Sequence, residues 1–211
     1  MTPASAVSAA AGGLGVLGGT FDPIHLGHIA AAEAAQRALN LGSIVLIPSR
    51  IPPHRTEPAS ASPDDRLAMT QLATGDRRDW SVSRLELDRD GPSYTYDTLV
   101  ALGKPGTQIF FITGADAFSE IATWSRYPAV LDLANFVVVS RAGITLDSLR
   151  ERVPSAFDRR PASKTRVILV EATTPDVSST EIRRRAAAGE SLTSLVPGSV
   201  ADYIHANRLY R

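Results

Sequence analysis

The stretch from Leu14 to Pro48 constrains this chain more than any other. Leu14 to Leu17 is a short apolar run that reads as a buried strand, and Ile29 to Leu39 is Ala-rich and reads as a helix. Ser43 to Pro48, with Ile44-Val45-Leu46-Ile47 at its centre, is a second apolar run rich in β-branched residues. Strand, helix and strand in about 35 residues open a doubly wound parallel sheet. In such folds ligands sit beyond the carboxyl ends of the strands, so the turns after Leu17 and Pro48 mark the expected site.

The first of these turns is Gly18-Gly19-Thr20-Phe21-Asp22-Pro23-Ile24-His25-Leu26-Gly27-His28. A Gly-rich turn entering a helix presents backbone N–H groups that lack partners, and the helix dipole favours an anion there. Gly18 and Gly19 allow the main chain close to a ligand. His25 and His28, three apart, share one face of the first helical turn, and Gly27 leaves room between them for a bulky group. Two imidazoles beside free amides make a seat for phosphate oxygens. With four His and no Cys in the chain, a zinc set would need carboxylates from elsewhere, so no metal ligands are assigned. The Gly-Lys-Ser/Thr phosphate loop and the G-x-G-x-x-G fingerprint are both absent.

The 211 residues, 44% of them hydrophobic, suffice for one sizeable core. Residues 13–211 read as a single α/β domain with helices on both faces of the sheet, after a disordered tail of small residues at 1–12. Lys+Arg and Asp+Glu balance at 22 each, which argues against a nucleic-acid or membrane surface as partner. The first residues lack the charge and apolar run of a signal peptide, and no run approaches a membrane span, so the cytoplasm is expected. Homo-oligomerisation is left open.

Further along, Asp64 to Ala73 reads as a helix with Leu67, Ala68, Leu72 and Ala73 on its apolar face. Trp80 to Leu87 alternates like a strand. Ser93 or Thr95 caps the helix that follows. Thr107 to Thr113 is apolar on both faces and is the best central-strand candidate. Asn135 to Ser140 and Val167 to Val170 are further strands, Leu146 to Arg152 a helix, and 154–164 a basic loop. Ser178 with Glu181 fits a capping box opening a helix, and Pro197 fits the first position of the last one. On physics alone Thr95, Asp116 and Ser178 are helix caps and Trp124 a packing residue.

The string G-G-T-F-D-P-I-H-L-G-H resembles the signature of the nucleotidyltransferase superfamily. P-P-H-R at 52–55, S-Y-T at 93–95 and T-W-S at 123–125 narrow the resemblance to the bacterial nicotinate-nucleotide adenylyltransferases. The resemblance implies transfer of the adenylyl group of ATP to nicotinate mononucleotide, giving deamido-NAD and pyrophosphate. His25, His28 and Arg183 would be catalytic. Gly18, Gly19, Thr20, Phe21, Gly114, Asp116, Ser178, Ser179 and Thr180 would join them in holding ATP. Asp22, His54, Arg55, Thr95, Trp124, Ser125 and Arg141 would face the mononucleotide, with Trp124 stacking on the pyridine and Thr95 and Ser125 offering backbone amides to its carboxylate. Mg²⁺ would be bound through substrate phosphates. Nicotinamide mononucleotide as acceptor and a non-catalytic nucleotide-binding regulator are the alternatives. The T-W-S segment departs from the family only in Ser125, where a bulkier residue is common.

Overall fold

The computed structural model describes residues 12–53, 57–75, 77–140, 144–157 and 165–211. His54, Arg55, Arg141 and the tail before residue 12, for which roles or disorder are expected above, lie outside the described residues. Six strands form one parallel sheet in the order β3-β2-β1-β4-β5-β6. They are β1 (Leu14–Gly19), β2 (Ser43–Pro48), β3 (Trp80–Val82), β4 (Ile109–Gly114), β5 (Asn135–Ser140) and β6 (Val167–Glu171). The strand order reverses between β1 and β4, and that crevice is where a doubly wound sheet takes ligands. The expected fold is the observed one.

Side chains alternate across the sheet into two cores. Leu17, Ile44, Leu46, Phe110, Ile112 and Val137 point to one face. There they meet Ile29 and Ala32 of α1 (Leu26–Leu39), Met69 and Ala73 of α2 (Pro63–Thr74), Ile182 of α7 (Ser179–Ala187) and Val200 and Ile204 of α8 (Gly198–Ala206). Val16, Val45, Ile47, Phe111, Phe136 and Val138 point to the other face. Their partners are Leu99 of α3 (Thr95–Leu102), Phe118 of α4 (Ala115–Ser119), Leu149 of α5 (Leu146–Arg152) and Ala156 of α6 (Pro154–Phe157). Among the described residues no helix is long and apolar enough to cross a membrane.

Several local expectations differ from the structure. The loop expected over 154–164 begins as α6 at Pro154–Phe157, with Pro154 in its first turn, and Pro197 is the N-cap of α8 rather than its first residue. The strand expected over Trp80–Leu87 stops at Val82. Ser83 N–H donates to Leu46 O as the ladder ends, and Ser83 Oγ then accepts from Leu85 N–H, which turns the chain. The buried stripe of α2 is Arg66, Met69, Thr70 and Ala73, with Leu67 and Thr74 beside it. Leu72, expected inside, is exposed. Spacing, not residue type, set that face: positions 66, 69, 70 and 73 are the i, i+3, i+4, i+7 stripe.

Candidate active site

The turn after β1 is held shut by its own side chains. Phe21 takes a left-handed backbone (φ 50°) and folds its buried ring back over Gly19, where a Cβ would come 2.7 Å from the ring. Gly18 differs: a Cβ there would meet protein only at 3.8 Å, from Phe111, so the space it leaves belongs to the cavity it lines.

His25 is the N-cap residue of α1, and its ring stacks on His28 with centroids 3.7 Å apart at 24°. The backbone N–H of His25 donates to His28 Nδ1 at 3.2 Å. That bond leaves the proton of neutral His28 on Nε2, as a donor. The Phe21 ring stands edge-on to His28, 5.1 Å away. Burial holds the His25 pKa down to about 4. Burial and the neighbouring His25 drive His28 well below its ordinary value. The pair is therefore neutral near pH 7. His25 Nδ1 is buried and has no partner among the described residues. Gly27 does not leave room for a ligand. A Cβ there would lie 3.1 Å from the His25 ring, so the glycine makes room for the histidine stack.

The start of α7 closes the other side. Ser178 Oγ accepts from Glu181 N–H as a cap, but the Glu181 carboxylate turns outward to Arg184 and Arg185, so only half of the expected capping box forms. Ser179 Oγ donates to Pro23 O at 2.9 Å, and Arg183 Nη1 donates to Asp22 O at 2.8 Å. Arg183 Nη2 also reaches Thr180 Oγ1 at 3.3 Å.

Two cavities open at the carboxyl ends of β1 and β4. The smaller, about 280 Å³, is lined by Thr20, Phe21, Asp22, His28, Ser179, Thr180 and Arg183. The larger, about 410 Å³, runs from Gly18, Gly19 and Gly114 to Thr95 at the start of α3 and to Trp124 and Ser125. Thr20 and His28 line both. Trp124 stands edge-on to Phe111 at 6.0 Å, and the Arg126 guanidinium lies 4.9 Å over the Tyr96 ring, which ties the 124–126 segment to α3. Thr95 is the first residue of α3 and Tyr94 its N-cap, while Ser93 Oγ accepts from Arg50 N–H. Asp116 is exposed in the first turn of α4, beside the cavity-lining Gly114 and Ala117.

Asp22 is placed differently from its expected mononucleotide contact. Its carboxylate is 1% exposed and accepts from Ser60 N–H, Ala61 N–H and Tyr210 O–H. The side chain serves the protein, because a buried carboxylate needs donors close by.

Two residues were missed from sequence. Arg66 is 1% exposed, and its Nη1 donates to Thr20 O and Ser49 O, each at 2.7 Å, joining the turns after β1 and β2. Its place in the α2 stripe was the available signal. Glu86 is buried at the larger cavity and accepts from Thr98 Oγ1 at 2.6 Å. Burial pushes its pKa up against the hydrogen bonds from Thr98 and Ser93. In a single sequence Glu86 carries no signal, since alternation sends a Glu between Leu85 and Leu87 to solvent.

A cytidylyltransferase-like family profile matches residues 16–185, which span both cavities. The chain belongs to the cytidylyltransferase-like family. Within that family it is 42% identical to a protein of Roseiflexus sp. (strain RS-1) named "Probable nicotinate-nucleotide adenylyltransferase", over 94% of this chain and 98% of that one. A protein of the same name from Mycobacterium avium (strain 104) is 41% identical, over 92% and 91%. Among solved structures, the fold is shared with a Plasmodium falciparum nicotinic acid mononucleotide adenylyltransferase complexed with APC, at a TM-score of 0.72 and 17% identity, covering 93% of this chain and 96% of that one. The expected family resemblance therefore holds along the cytidylyltransferase-like chain.

Proposed function

We propose that this enzyme transfers the adenylyl group of ATP to nicotinate mononucleotide, releasing pyrophosphate, and that it works in the cytoplasm. The observation that carries the reading is the pair of cavities meeting at Thr20 and His28. A two-substrate transfer between phosphates needs two pockets with a shared boundary, and the names of the full-length relatives supply the acceptor.

In the proposed reaction a phosphate oxygen of the mononucleotide forms a bond to the α-phosphorus of ATP. The bond from that phosphorus to the pyrophosphate oxygen breaks, and pyrophosphate leaves with the electron pair. No side chain becomes covalently attached. Alignment of the two reactants supplies on the order of 7–11 kcal/mol, and preset donors stabilise the charge that builds on the leaving group. The triphosphate fits the smaller cavity, where His28 Nε2–H, the start of α7 and Arg183 all donate. Neutral imidazoles suit this task, because they donate without needing a proton from solvent. Among the described residues no three His, Asp or Glu side chains converge on one point. Mg²⁺ would arrive with ATP and offset charge on its phosphates, and no residue of this chain is assigned as its ligand.

The pyridine fits between Trp124 and the first turn of α3, where the amides of Thr95 and Ser125 can meet a carboxylate. Glu86 favours a second reading, nicotinamide mononucleotide as acceptor. An ionised carboxylate in that pocket would accept from an amide and repel an acid, and its raised pKa weakens that repulsion. Pyrophosphate release with ATP and Mg²⁺, offered the acid and the amide side by side, tests both readings. Preference for the acid supports the first and equal or reversed use the second. No release with either refutes adenylyl transfer to a pyridine mononucleotide.

A further inference from the structure

Tyr210 follows α8 and lies far from either cavity in sequence, yet its hydroxyl reaches the middle of the turn between β1 and α1. The backbone bends sharply to bring it there. Arg208 (φ 52°) and Tyr210 (φ 67°) are both left-handed, a costly conformation for residues with a Cβ that persists where the surroundings impose it. Leu209 N–H donates to Ile204 O, and Leu209 and Tyr210 both pack against the core shared by α1, α7 and α8.

The hydroxyl donates to Asp22 Oδ1 at 3.1 Å. The same oxygen accepts from Ala61 N–H at 3.0 Å, and Oδ2 accepts from Ser60 N–H at 2.8 Å. Arg183 Nη1 stands 3.8 Å from Oδ2, an ion pair too long for a hydrogen bond, and is instead bonded to the Asp22 carbonyl. Neutral donors from Ser60, Ala61 and Tyr210 thus hold the carboxylate, and the guanidinium stays at the wall of the smaller cavity. Burial and the charge of Asp22 raise the Tyr210 phenol, so it stays a donor throughout the neutral range.

We propose that Tyr210 is a positioning residue for adenylyl transfer: by donating to Asp22 it keeps Arg183 available to the leaving phosphates. Remove the hydroxyl and the buried carboxylate loses one of its donors. The Arg183 guanidinium, 3.8 Å from Oδ2, would then close on Asp22 and withdraw from the cavity. The effect belongs to the triphosphate side alone, since Trp124, Ser125 and Thr95 line the other cavity.

The inference rests on the proposed adenylyl transfer, and the test separates the two. Tyr210→Phe, Asp22→Asn, their double variant and Leu209→Ala are compared with the wild type well below all melting temperatures. Expected for Tyr210→Phe is a fall in kcat/KM for ATP of about tenfold, short of the roughly 100-fold that a 1 Å misplacement can cost, with KM for the mononucleotide within about twofold. Its affinity for a non-hydrolysable ATP analogue should fall in calorimetry as well. Leu209→Ala weakens the same segment without touching Asp22 and should leave both constants near wild type. The double variant should be no worse than Asp22→Asn, because the hydroxyl acts through that carboxylate. Unchanged ATP parameters in Tyr210→Phe, a parallel loss in Leu209→Ala, or multiplicative losses in the double variant would each overturn the proposal. A wild type that releases no pyrophosphate refutes the proposed function, and analogue affinity then decides the Tyr210 question by itself.

Discussion

Acid should unfold this protein through its histidine stack. His25 is 8% exposed, and burial lowers its pKa from 6.5 to about 4. Between those two values the unfolded chain binds a proton that the folded chain refuses. Stability therefore rises with pH across that window and is lost as pH falls through it. At about 1.4 kcal/mol per pKa unit the full loss from His25 is about 3 kcal/mol, of which about 2 kcal/mol is gone by pH 5. His28, also lowered, adds a loss of the same sign. Glu86 works in the opposite direction, since a raised carboxyl pKa makes the folded state bind more protons in its own window. The His25→Gln variant keeps Glu86, so that contribution cancels in the comparison. Urea unfolding at steps from pH 7 to pH 5 measures the difference. The wild type should lose about 2 kcal/mol more than His25→Gln over that range. Parallel curves, with less than about 0.5 kcal/mol between their falls, would refute the argument that burial keeps this imidazole neutral.

Two further outcomes are expected. Trp124→Ala removes the platform at the pyridine pocket and should raise KM for the mononucleotide roughly 2- to 12-fold, from about 0.5–1.5 kcal/mol of ring contact; steady-state kinetics showing a change confined to ATP would place the pyridine elsewhere. Arg66→Met strips the donor from Thr20 O, Ser49 O and Ala61 O in a buried site. It should cost about 3–5 kcal/mol, or roughly 6–20 °C of melting temperature, and a shift under about 2 °C in a thermal melt would show that those carbonyls find other donors.

What could be read from the sequence is what lies together along the chain. The strand, the Gly-rich turn and the histidine-bearing helix start form one continuous segment, and so do the beginnings of α3 and α7. Each could be recognised from local spacing, although α3 is capped by Tyr94 rather than by Ser93 or Thr95 and only half of the capping box at α7 forms. What could not be read is what the fold brings together from afar. Asp22 meets Ser60, Arg183 and Tyr210, separations of 38 to 188 residues, and no local pattern records such a meeting. The strand expectation over Trp80–Leu87 failed because alternation does not record the turn at Ser83, which takes the chain off β2 although β2 runs on to Pro48.

Gly27 shows how the two kinds of information differ. Its presence between the histidines could be read, but its purpose could not, because it depends on which way the His25 ring turns. The ring lies over Gly27 and against His28, and a Cβ would meet it at 3.1 Å. A larger residue at 27 would push the His25 ring toward or away from its partner. The same contact buries both imidazoles, and burial keeps them neutral. So the spacing of the two histidines sets their common face, while the glycine between them permits the stacking. The stack, together with the His25 N–H on Nδ1, leaves the His28 proton on Nε2, at the point where the two cavities meet.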